Sequence, residues 1–276
     1  MVEDYVPTGV PGVDKILADK GIPKGHTILV SGGPGSGKTT FAIQFLYAGV
    51  TQHNESGVYV TLDEDPDDIR KNMLKYGWDL KKLEEDKKLV FINVSPVRVA
   101  PSETAGLIEI GMKEFRLIKL LEAIRQGVKE VNAKRVVVDP VTSFMLQYPN
   151  DIERIYAMRD LMRDLRKTSC TNMLISELRG TGWEREHQFE EYLAQGVILL
   201  RTFPKDGKLV RVFQVEKMRG LAIDNQPSPY EISAKGVEVY PGATVYKQIP
   251  RGCLETKRSL NIPAFVTCRW DNYWFL

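Results

Sequence analysis

The run Gly32 to Thr39, GGPGSGKT, combines the ingredients needed to hold a polyphosphate. Glycines let the backbone curl so that successive N–H groups point at phosphate oxygens, and a helix starting near Gly37 adds its positive end. Lys38 supplies a point charge for the β and γ phosphates of ATP, and the Thr39 hydroxyl is a suitable ligand for Mg²⁺. Gly33, Pro34, Gly35, Ser36, Gly37, Lys38, Thr39 and Thr40 form the expected nucleotide-binding set. The order satisfies G-x-x-x-x-G-K-S/T and lies between an apolar stretch, His26 to Ser31, and a helical one, Lys38 to Gln52. That context gives the pattern its meaning. A flexible glycine turn is the weaker competing account.

Two carboxylate sites extend the chemistry from holding a nucleotide to hydrolysing it. Asp139 closes the apolar strand Val136 to Val138, where a carboxylate can reach Mg²⁺ through water from the strand beside the phosphate loop. The bland alternative is an Asp that only ends a strand. Asp63 and Glu64 directly follow the strand-like Gly57 to Leu62, which in an open parallel sheet places them at the carboxyl edge. A carboxylate there can orient and partly deprotonate the water that attacks the γ phosphate. Asp63, Glu64, Asp65, Asp67 and Asp68 also fit a solvated helix start, most of all Asp67 and Asp68.

The elements that must carry these residues alternate apolar runs with amphipathic stretches over the first two hundred residues or so. This is the pattern of an α/β fold with a mostly parallel sheet flanked by helices. Strands are expected at His26 to Ser31, Gly57 to Leu62, Leu89 to Val94, Arg135 to Asp139 and Asn172 to Ser176, with helices over Lys38 to Gln52, around Leu117 to Val131, and over Asp151 to Lys167. Gly196 to Arg201 and Leu209 to Glu216, around a turn at Pro204 to Gly207, are expected as an antiparallel C-terminal extension.

The chain has 276 residues, 43% apolar and 27% charged, with a formal net charge of +2, which fits one main domain and carries no overall basic excess for nucleic acid. Cys170, Cys253 and Cys268 lack disulfide or zinc spacing, so a reducing cytoplasm is expected, and no stretch has membrane-spanning length. The expected organisation is one ATPase domain over 1–247 and a tail, 248–276, without an assigned role.

Beyond the phosphate loop, the residues resemble the KaiC-like branch of the RecA superfamily of P-loop ATPases. Thr8 to Asp14 (TGVPGVD), Ile22 to Gly25, Thr61 to Glu64, Asn72 to Asp79 and Lys217 to Gly220 carry the resemblance. Tyr230 to Ser233, Gly236 with Val237, and Tyr240 with Pro241 continue it. It implies a RecA-like fold, ATP and Mg²⁺ as ligands, and a homo-oligomeric ring, commonly hexameric, with ATP between neighbouring subunits. Lys217 and Arg219 match the family pair that reaches the neighbour's γ phosphate. A Lys-x-Arg considered alone is a solvated strand edge.

Asp63, Glu64 and Lys38 are the implied catalytic residues. The family's acidic pair is usually Glu-Glu, so the shorter Asp63 makes Glu64 the better water-orienting base. Ala234 stands where the family often has Asp, and Pro140 follows Asp139 where Ser is common. Ser176, at the end of its strand, falls where relatives keep a polar sensor of the γ phosphate.

Three functions fit these features. The first is a ring ATPase coupling hydrolysis to a protein partner or a regulatory signal. The second is an ATP-bound assembly protein with little turnover, and the third a DNA recombination modulator. The third has only Lys113, Arg116, Lys119 and Arg125 on one helix in its favour, which also fit a solvated face. Self-phosphorylation, a property of double-domain relatives, is disfavoured by a single ATPase domain.

Overall fold

The computed structural model describes residues 5–94, 105–178, 188–205 and 208–243, with backbone alone over 105–116 and at 205 and 208. In chain order the elements are β1 (Tyr5–Val6), α1 (Val13–Ile16), β2 (Ile22–Pro23), β3 (Thr27–Gly32), α2 (Lys38–His53), β4 (Gly57–Thr61), α3 (Pro66–Leu74), α4 (Leu80–Glu85) and β5 (Leu89–Asn93). They continue with α5 (Ala105–Val131), β6 (Arg135–Asp139), α6 (Val141–Met145), α7 (Asp151–Lys167), β7 (Thr171–Glu177) and α8 (Phe189–Leu193). The chain then runs through β8 (Gly196–Lys205), β9 (Lys208–Met218), β10 (Ser228–Ser233) and β11 (Gly236–Val239). The expected tail lies outside the described residues.

One sheet dominates, in the order β11-β10-β9-β8-β3-β7-β6-β4-β5, while β1 and β2 pair separately. From β5 across to β8 every pairing is parallel, and β9, β10 and β11 are added antiparallel. The expected α/β fold with a mostly parallel sheet is therefore present. Parallel strands covered by helices on both faces must be apolar throughout, and the fully buried Val136, Val137 and Val138 show it.

The structure corrects two expectations. Gly196 to Arg201 pairs antiparallel with β9 as expected, but β8 does not belong to the extension alone, because on its other side it runs parallel to β3 (Ile28 opposite Gly196). The strand carrying Asp139 is not beside the phosphate loop's strand either, since β7 lies between β6 and β3.

The sheet separates two hydrophobic clusters. Ile28, Val30, Met173 and Ile175 pack with α2 residues such as Phe41 and Phe45 on one face. Leu29, Leu174 and Val138 pack with α5 and α7 residues such as Leu120, Met158 and Leu161 on the other. Helix starts follow their caps: Asn150 accepts from Glu153 N at 3.0 Å to begin α7, and Asp65, ahead of Pro66, accepts from Asp67 N at 2.8 Å to begin α3. Asp65 is thus a cap, and Asp67 and Asp68 lie in the first turn of α3, as the solvated-start account expects.

Candidate functional site

β3 ends at Gly32 and α2 begins at Lys38, so the expected phosphate loop is the crossing between a buried strand and a buried helix. Its glycines have specific reasons. A Cβ on Gly32 would stand 2.5 Å from Ser36 Oγ and 2.6 Å from Leu200 O, and one on Gly37, whose φ is +87°, would meet Ile232 Cδ1 at 2.5 Å. Gly37 takes the N-cap position of α2 without a side-chain cap, which leaves the helix start for an anion. Among the described residues, the buried Ser36 Oγ has no hydrogen-bond partner.

The antiparallel extension buttresses this loop. Tyr230 OH donates to Ser36 O at 2.6 Å, and the Gln44 side chain donates to Val237 O and accepts from Val237 N at 3.0 and 2.7 Å. β10 and β11 thereby brace the loop and α2. Burial pushes the Tyr230 phenol well above its ordinary pKa, so it stays a neutral donor.

Lys38 Nζ donates to Gly32 O at 2.9 Å and Gly33 O at 3.1 Å. Burial lowers its pKa, while Asp139 and Glu177 oppose that shift. Thr39 Oγ1 donates to Asp139 Oδ2 at 2.8 Å, so the two candidate metal-side residues meet although a strand separates β6 from β3. The Asp139 carboxylate is buried and its pKa raised, chiefly by burial, against hydrogen bonds from Tyr59 and Thr39 and the charge of Lys38.

These groups suit a nucleotide-bound cation. A hydroxyl and a carboxylate are hard oxygen donors of the kind Mg²⁺ takes, and the remaining ligands would come from phosphate and water. Among the described residues no group of three or more His, Cys, Asp and Glu side chains forms a metal cage of its own.

Glu64 stands at the rim, its backbone fixed by Thr61: Glu64 N donates to Thr61 Oγ1 at 3.1 Å, and that hydroxyl donates to Glu64 O at 2.6 Å. Partial burial, then the charges of Asp139, Asp63 and Asp68, raise its pKa. Asp63 accepts a 2.5 Å hydrogen bond from Ser143 Oγ on α6. The two acidic neighbours therefore differ in setting: Asp63 is tied down by a hydroxyl, and Glu64 lines a cleft of about 580 Å³ together with Thr39, Thr40, Tyr76, Ile232 and Ala234. That cleft is polar at the α2 start and apolar toward Ile232, a combination that suits a nucleoside beside its phosphates.

Ser176 is buried, with its Oγ 3.3 Å from Thr142 Oγ1. By strand alternation it shares the sheet face of Leu174, away from α2, whereas exposed Glu177 falls on the α2 face, where its charge acts on Lys38. Sequence reasoning passed over Ser143 and Tyr59, and of the strand-end pair Ser176 and Glu177 it chose Ser176. Strand parity relative to α2 is the signal that points to Glu177.

Lys217 and Arg219 lie elsewhere. Lys217 pairs with Val197 and Met218 with Gly196, which lies opposite Ile28 at the start of β3. Lys217 Nζ donates to Glu191 O at 2.8 Å and Arg219 Nη2 to Tyr192 O at 3.1 Å, at the end of α8. They sit at the sheet edge opposite the phosphate loop. Burial and the charge of Arg219 lower the Lys217 pKa.

The profile of the family described as ATPase: KaiC matches residues 6–244. The chain belongs to the KaiC ATPase family. A UPF0273 protein of Pyrococcus furiosus is 38% identical over 241 residues, covering 86% of this chain and 94% of the relative. The circadian clock oscillator protein KaiC of Synechococcus elongatus is 33% identical over 236 residues, 85% of this chain but 44% of that longer protein. Among solved structures, a KaiC-like protein of Pyrococcus horikoshii superposes with a TM-score of 0.72 at 33% identity, over 86% of this chain and 99% of that one. This chain thus has the KaiC-like, RecA-type P-loop architecture. Among the described residues no helix is long and apolar enough to cross a membrane.

Proposed function

We propose that this chain is a Mg²⁺-dependent ATP hydrolase that works as a cytoplasmic ring, hexameric as the family resemblance implies, with each ATP between two copies. One ATPase domain over 1–247 forms the ring, and 248–276 is a tail. The observation that carries the proposal is the division of the catalytic groups. Lys38, Thr39, Asp139 and Glu64 converge at the carboxyl edge of the parallel sheet, and the cations Lys217 and Arg219 stand at its other edge.

Gly33 to Gly37 and Thr40 bind and orient the phosphates through the loop backbone and the start of α2. Lys38 moves from the loop carbonyls to the β and γ phosphates. Thr39 and Asp139 would hold the metal, which would supply positive charge to offset that of the phosphates. Glu64 accepts a proton from the attacking water and fixes its line of approach, with Asp63 held by Ser143 as its neighbour. Lys217 and Arg219 of the adjacent copy then stabilise charge developing on the transferred phosphoryl group.

Ser176, buried on the far face and bonded to Thr142, acts as a support beneath this edge, and Glu177 is the outward-facing member of the pair. A protein partner is the preferred receiver of the conformational signal. On α5, Arg125 is ion-paired with Asp164, which argues against a nucleic-acid role for that helix.

The test is phosphate release from ATP against Mg²⁺, with mass in solution measured with and without nucleotide, and with single- and double-stranded DNA added. The expected result is Mg²⁺-dependent turnover by a nucleotide-stabilised ring, abolished by Lys38→Ala and indifferent to DNA. Turnover surviving Lys38→Ala sinks the site. A stable ring that binds ATP without releasing phosphate turns the protein into an ATP-held assembly factor, and stimulation by DNA restores the recombination role.

A further inference from the structure

The strand β4 carries a buried phenol aimed at the metal-side carboxylate. Tyr59 is 1% exposed, and its hydroxyl donates to Asp139 Oδ2 at 2.7 Å, the same oxygen that accepts from Thr39 Oγ1. Strand register explains the reach, since β4 and β6 are neighbours with Tyr59 opposite Val137 and Thr61 opposite Asp139. The ring is fixed by contact with Phe91, the centroids standing 5.2 Å apart.

From this geometry we infer that Tyr59 is a positioning residue for the cation: with Thr39 it saturates Oδ2 of Asp139, sets the rotation of the carboxylate, and turns Oδ1 toward the metal and its water. The inference rests on the assignment of Thr39 and Asp139 to Mg²⁺ made above. A buried phenol fixes one carboxylate oxygen without adding charge, so it orders the carboxylate while leaving its attraction for a cation in place. Outer partners of this kind are worth about 10–100-fold in metal affinity.

Tyr59→Phe removes one oxygen and keeps the ring. The test uses a fluorescent, non-hydrolysable ATP analogue, titrated with Mg²⁺ and separately measured in EDTA, on the full chain. The expected result is a Mg²⁺ half-saturation raised about tenfold, with unchanged affinity in EDTA. Adding Tyr59→Phe to Asp139→Asn should then change nothing further, because the phenol acts through that carboxylate.

An unchanged Mg²⁺ dependence in Tyr59→Phe, beside a shifted one in Asp139→Asn, overturns the role of Tyr59 and leaves the site intact. Equal losses of affinity with and without Mg²⁺ overturn it too, by making Tyr59 a packing residue. If Asp139→Asn itself leaves the Mg²⁺ dependence unmoved, the metal-side assignment falls, and the inference with it.

Discussion

If Arg219 serves the neighbour's ATP, the activity of Arg219→Ala subunits can be rescued only by another subunit. Arg219 N bonds to Gln195 O, and Gln195 N to Thr27 O, so Arg219 is tied to the first residue of β3. The phosphate loop leaves that strand after Gly32. The five residue steps between them span about 16 Å of strand, beyond what one side chain covers. Loss of an arginine finger costs about 10³ in rate at the low end, or about 4 kcal/mol of barrier.

Arg219→Ala and Glu64→Gln preparations, each inactive by that measure, are co-expressed with different tags, and mixed rings are isolated through both. With random neighbours, about a quarter of interfaces combine an intact Glu64 with an intact Arg219 from the next copy. Phosphate release should therefore return to about a quarter of the parental rate, several hundred times that of either variant alone. A mixed ring no faster than its parents refutes completion in trans. So does an Arg219→Ala ring that keeps the parental rate.

Three further outcomes are expected. Because burial and three acidic neighbours raise the Glu64 pKa, Glu64 takes up its proton at higher pH than a free glutamate. The acid limb of the rate–pH profile should thus begin above the ordinary value of 4.5, and Asp63→Asn, which removes one negative neighbour, should move it toward lower pH. Gly37→Ala forces a Cβ toward Ile232 at a φ of +87°, so it should weaken ATP-analogue binding in a fluorescence titration at least tenfold. The Arg135 guanidinium is fully buried, donating through Nε to Glu55 at 2.7 Å and through Nη1 to Phe45 O at 2.8 Å. Glu55→Ala leaves that cation without its partner at a cost of about 3 kcal/mol. At about 2–4 °C per kcal/mol for a domain of this size, the melting temperature in calorimetry should fall by about 6–12 °C.

Local chemistry was the legible part. Arg135 to Asp139 and Asp151 to Lys167 carry their own boundaries, an apolar run closed by a charge and an Asn150-capped period, and both match β6 and α7 residue for residue. The phosphate loop announced its strand and helix through the glycines and lysine. Pairing between distant segments was not legible: nothing local in Asn172 to Ser176 says that it separates β3 from β6, nor does Gly196 to Arg201 disclose a parallel partner. The two hydroxyls were missed for the same reason. Tyr59 reads as one more apolar strand residue until β6 is placed beside it, and Ser143 as an ordinary helix residue until α6 meets Asp63.

The braces from Tyr230 to Ser36 and from Gln44 to Val237 span 194 and 193 positions of sequence. During synthesis at about 5–20 residues per second, the phosphate loop therefore waits about 10–40 s for the strands that support it. The nucleotide site, encoded near the start of the chain, is among the last parts to be completed. ATP should select finished chains and give little help to nascent ones. A fragment ending before Ser228 would carry every residue of the binding motif and still bind poorly.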